Sequence, residues 1–150
     1  MLEQQIERDL KTALLAGDGV RVSTLRMMKA TLLNVKVATG QRESGLDDAE
    51  ATMHLSKEAK KRQESAEMYI KAGDQERADQ ERAEKAIIQE YLPTQLSEQE
   101  IVAVVEQVME ETDANSAASM GQVIGLVKQK TNGAADGAMI ARLVKERLNA

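Results

Sequence analysis

The chain has 150 residues, a formal net charge of −5 at pH 7 and 30% charged side chains, a balance that disfavours nucleic acid as a partner for the molecule as a whole. It has no cysteine, which excludes disulfides, thiolate metal sites and cysteine nucleophiles, and its one histidine, His54, cannot alone build a zinc site of the usual kind. Tyr69 and Tyr91 are the only aromatic residues, so the core must come from Leu, Val, Ile, Met and Ala, and with one proline and little strand-type alternation this predicts an all-α fold.

The first helix is predicted from about Leu2 to Ala16, with Leu2, Ile6, Leu10, Ala13 and Leu14 at helical spacing. Acids at Glu3, Glu7 and Asp9 fit neither a secretory nor a transit leader, and no apolar run approaches the ~20 residues that span a bilayer. A cytoplasmic location with no membrane partner is the expectation. Gly17-Asp18-Gly19 ends the helix, and a second follows from about Val20 to Thr39 with Val22, Leu25, Met28, Leu32 and Val35 inward.

After a polar turn, a third helix opens at Asp47, where Glu50 predicts a reciprocal capping box, and runs to about Ala72. Its middle, Lys57-Glu58-Ala59-Lys60-Lys61-Arg62, is strongly charged. A fourth helix starts after Asp74 and continues to Tyr91. The apolar stripes of these two helices are sparse, which predicts a charged hairpin that projects from the first two helices or packs loosely on them.

Pro93, the only proline, must stop the fourth helix, because its ring removes a backbone donor and collides with the preceding turn. Ser97 then reads as an N-cap with Glu100 completing a second capping box, and Leu96 is placed to staple onto Ile101. The expected organisation is an N-terminal four-helix part at 1–92, a hinge at 93–97 and a compact three-helix domain at 98–150. The tail helices are predicted at about Glu98 to Glu111, Ala118 to Lys130 and Gly137 to Leu148, the last capped by Asp136. Charge divides this tail: Glu98 to Asp113 holds six acids and no base, whereas Lys128, Lys130, Arg142, Lys145 and Arg147 crowd the end.

Most polar residues read as structure. The carboxylates form solvated faces or caps, His54 sits on a helix without a partner in sequence, the serines lack a nucleophile elbow, and the methionines read as core filler. No catalytic residue, metal ligand or cofactor site can be named. The exception is Met120-Gly121-Gln122-Val123-Ile124-Gly125 with the turn Gly133-Ala134-Ala135-Asp136-Gly137. Two helical glycines four apart leave a bare strip of backbone, which serves either close packing of helices within the tail or close approach of another backbone, RNA included.

Glu90-Tyr91-Leu92-Pro93-Thr94-Gln95-Leu96-Ser97, the Met120-Gly121 helix and the Gly133 to Gly137 turn resemble the GatB/YqeY family. Leu25-Arg26-Met27-Met28-Lys29-Ala30 and Lys60-Lys61-Arg62-Gln63-Glu64-Ser65 resemble its stand-alone YqeY branch. The tail alone is similar to the C-terminal domain of the B subunit of tRNA-dependent amidotransferases. The resemblance implies a role linked to glutamine-dependent carbon–nitrogen ligation, with tRNA, an amidotransferase or another protein as partner. The catalytic parts of such enzymes lie in other domains, so the chain is expected not to catalyse alone. On this reading Gly133, Ala135, Asp136 and Gly137 form the family turn, Gly121 and Gly125 allow close approach, and Lys128, Lys130, Arg142 and Lys145 are the tRNA-contact candidates. The family commonly has a basic residue where this chain has Ala134, which removes one phosphate contact. The rival reading is a helical interaction adaptor that does not bind RNA.

Overall fold

The computed structural model describes Met1–Asn149, and all regular structure among these residues is helical. The chain divides into two compact units, Met1–Leu92 and Pro93–Ala150. Unit 1 contains α1 (Leu2–Ala16), α2 (Gly19–Thr39), α3 (Asp48–Lys71) and α4 (Gln75–Gln89). Unit 2 contains α5 (Glu98–Thr112), a short 3-10 turn (Ala117–Ser119), α6 (Met120–Thr131) and α7 (Gly137–Leu148).

Local chemistry explains where these helices start. The Asp18 carboxylate accepts from the Arg21 amide at 3.1 Å, and Asp74 does the same for Arg77 at 3.1 Å. Both predicted capping boxes form. Asp47 accepts from the Glu50 amide at 2.8 Å while Glu50 accepts from the Asp47 amide at 3.4 Å. Ser97 and Glu100 exchange the equivalent pair at 3.2 and 2.7 Å. Each cap satisfies helix amides that would otherwise have no intrahelical partner.

The core of unit 1 takes Leu2, Ile6 and Ala13 from α1, Leu25, Met28 and Leu32 from α2, and Ala51, Leu55 and Ala59 from α3. Ile88 and Tyr91 close it from the end of α4. Burying each large apolar side chain stabilises by about 1.5–3 kcal/mol. The hairpin of α3 and α4 is therefore built into the unit at its base. Farther out it is held by Ala66 and Ala78, both buried, and by Arg62, which reaches Glu81 and Glu84 at 3.5 Å each. Small residues let the two backbones approach, and the charged pairs supply the outer registration.

α4 stops at Gln89, before the expected Tyr91. The amides of Tyr91 and Leu92 donate to Ile88 and Gln89 at 3.0 and 3.1 Å, a tightened turn that ends the helix ahead of the proline. Tyr91 is only 8% exposed, and its hydroxyl donates a short hydrogen bond to the Asp9 carboxylate. Next to it Arg21 pairs with Glu90 at 2.6 Å. The turn that follows α4 is thus fastened to α1 and to α2. Burial, and then the bond to Asp9, raise the Tyr91 pKa, while the Arg21 charge acts the other way.

In unit 2, Ile101, Val105 and Val108 of α5 pack against Val123 and Val127 of α6 and Ile140, Leu143 and Val144 of α7. Leu96 lies partly buried against this core.

Candidate nucleic-acid interface

The turn between α6 and α7 is shaped by two successive left-handed residues, Asn132 at φ 44° and Gly133 at φ 85°. Asparagine and glycine tolerate that conformation better than other residues. The chain then doubles back, and the Ala134 amide donates to the Thr131 carbonyl at 2.9 Å. The outer side of the turn is held by the segment that follows Pro93. Leu96 N–H donates to the Ala134 carbonyl at 2.8 Å, and Gln95 Nε2 donates to the Gly133 carbonyl at 3.3 Å. Neither brace is visible in the sequence, because both join residues almost forty positions apart. They hold Gln95 and Leu96 against the α6–α7 turn of unit 2.

Asp136 occupies the N-cap position of α7, but its side chain makes no cap hydrogen bond to that helix, in contrast to the predicted cap. Gly137, the first helical residue, lies under the Lys128 side chain: a Cβ built there would meet Lys128 Cε at 3.3 Å. The glycine thus lets the α6 lysine cross the start of α7.

Gly121 and Gly125 are both exposed, and a Cβ added to either meets nothing within 4 Å. Close packing of helices within the tail is therefore not what these glycines serve. At 100° per residue Gly121, Gly125 and Lys128 fall on one face of α6, away from the buried Val123 and Val127.

The basic end of the tail is not electrically separate from its acidic helix. Lys130 grips both Glu111 oxygens at 2.9 and 2.8 Å. Arg142 pairs with Glu98 and with Glu146 at 3.2 Å each, and Arg147 with Glu106 at 2.9 Å. The bond to Lys130 holds the Glu111 carboxyl below its ordinary pKa, and the bond to Glu98 raises that of Arg142. Folding brings the two charge blocks together because α5 packs on both α6 and α7. Of the candidate cations, Lys128 and Lys145 are exposed and have no ion-pair partner among the described residues.

No group of three or more His, Asp or Glu side chains is placed to hold a metal ion among the described residues, and His54 lies half-buried on α3. No helix among them is long and apolar enough to cross a membrane.

The fold and this face define an all-helical two-unit protein whose tail presents bare backbone beside a lysine. The family model described as Yqey-like protein matches residues 3–148, and the chain belongs to that family. No match is found among curated proteins.

Proposed function

We propose that this YqeY-like protein is an accessory module that takes tRNA on the exposed face of α6 and the adjoining turn, in a process linked to glutamine-dependent amide transfer. The observation that carries this reading is the exposed strip of Gly121 and Gly125 leading to the exposed Lys128, where a Cβ at either glycine would meet nothing within 4 Å. The likeness of the tail to the amidotransferase B-subunit domain supplies the class of partner. Lys128 and Lys145 provide phosphate contacts directly, whereas Lys130 and Arg142 must first leave Glu111 and Glu98. Binding is therefore weak, since few phosphates are neutralised, and it falls with salt only in proportion to those few contacts, each of which releases counterions.

A salt-resolved tRNA shift assay tests this. Lys128→Glu is expected to abolish binding at low salt, and Lys130→Glu to weaken it less, because Lys130 is already neutralised by Glu111. Ala134→Lys is expected to strengthen it. A parent protein that binds no tRNA at low salt, or a Lys128→Glu variant that binds as the parent does, overturns the reading. The neutralisation of Lys130, Arg142 and Arg147 by acids of α5 favours the second reading, an interaction adaptor for which RNA is irrelevant. Catalysis by the isolated chain is not part of either: with purified protein, glutamine should release no ammonia above background, with or without tRNA.

A further inference from the structure

Unit 1 carries a groove between α1 and α2 that its own core leaves open, with a cavity of about 250 Å³. Ile6 and Leu32 form its buried floor, and Ala30 and Leu33 its α2 side. Leu33 is 44% exposed and Val37, the next turn along α2, 58% exposed. Ala30, Leu33 and Val37 thus repeat at the i, i+3, i+7 spacing by which one helix receives another.

Charge lines this apolar strip. Lys29 pairs with Glu7 at 3.0 Å and Lys36 with Glu3 at 2.6 Å. Two further cations remain. Lys11 is near enough to act on the Glu7 carboxyl in the same direction as Lys29. Arg26 precedes Ala30 by one turn on the same exposed side of α2. Neither has an ion-pair partner among the described residues. Counting these two, which lie one turn beyond the groove lining, four cations accompany two carboxylates.

We infer that the α1–α2 groove is a docking site for an amphipathic protein helix whose flanks are acidic. The apolar strip needs a matching apolar face, and the surplus of Lys11 and Arg26 needs carboxylates beside it. A second copy fits poorly, because a two-fold contact would set the same surplus cations against each other. Nucleic acid fits poorly too, since the half-exposed Leu33 and Val37 at the middle of the strip give a phosphate backbone nothing to bond.

The test uses the full chain and a synthetic helical peptide of about 18 residues, leucine-faced with glutamate flanks, beside the same peptide with lysine flanks. Binding is followed by methyl NMR of Leu33 and Val37 and by fluorescence anisotropy. The glutamate peptide should shift both methyl groups and bind at least tenfold more tightly than the lysine peptide, an advantage that narrows as salt rises. Leu33→Asp, at an exposed position that leaves the circular dichroism unchanged, should weaken it at least tenfold. Arg26→Glu should remove the preference for glutamate flanks while leaving the methyl shifts in place. The inference is overturned if neither peptide binds at millimolar concentration or if both bind equally to the parent. It is also overturned if a short RNA duplex gives the same methyl shifts, or if those shifts follow protein concentration without peptide.

Discussion

Tyr91 shows what a buried polar group demands of its surroundings. With one face in the core of unit 1, its hydroxyl needs a partner, and Asp9 from α1 supplies one. Because the folded-state pKa lies above the unfolded value of about 10, this contribution is complete below about pH 10. It is lost as the pH climbs past that value, since the unfolded chain ionises first. Tyr91→Phe should cost about 1–2 kcal/mol at neutral pH and flatten part of the alkaline loss of stability. Denaturant melts of both proteins from pH 7 to 11 measure the difference; parallel curves would remove Tyr91 from that loss. Gly133 is the second residue with a narrow task. At φ 85° it holds a conformation that costs an L side chain roughly 1–2 kcal/mol. Gly133→Ala should destabilise unit 2 by that amount, and a neutral result would mean the turn can be reached in another way.

α6 departs from what stability alone would select. Glycine inside a helix costs about 0.8–1 kcal/mol relative to alanine, and an alanine Cβ at Gly121 or Gly125 would meet nothing within 4 Å. Gly121→Ala and Gly125→Ala should therefore each raise stability by about 0.8–1 kcal/mol in chemical denaturation. If the bare strip takes tRNA, the same variants should bind it less well, so a gain in stability with unchanged binding would separate the glycines from that role. At the start of α5, Ser97→Ala should cost roughly 1 kcal/mol by deleting half of the capping box. That loss should appear in unfolding of unit 2.

At the scale of the whole molecule, the two units have separate cores, and the boundary between them falls at Leu92 and Pro93. Leu92 belongs to the closing turn of α4, while Gln95 and Leu96 are fixed to the α6–α7 turn. Pro93 and Thr94, at the start of unit 2, lie between these fixed points. We expect limited proteolysis to cut at Thr94 or its neighbours and release a helical fragment from unit 2, because backbone outside hydrogen-bonded elements is where proteases gain access. Cleavage confined to the α3–α4 hairpin would argue instead that the connection is protected.

The sequence by itself determined the helices and most of their ends. Composition left no material for sheets, and Asp47 with Glu50, Ser97 with Glu100, and Pro93 each act within a few residues, so their effect is readable locally. The glycine pattern likewise carried the resemblance to the family to which the chain belongs. Only the tertiary structure decided what those elements do to one another. It tied Tyr91 to Asp9 and braced the Gly133 turn with Gln95 and Leu96. Above all, it joined the acidic and basic blocks of the tail, so that Lys130 and Arg142, exposed cations in sequence, are salt-bridged in the fold while Lys128 stands apart. The reason is physical: a cap is set by backbone geometry over one turn of helix, whereas the availability of a charge depends on which distant side chain packing brings within hydrogen-bonding distance.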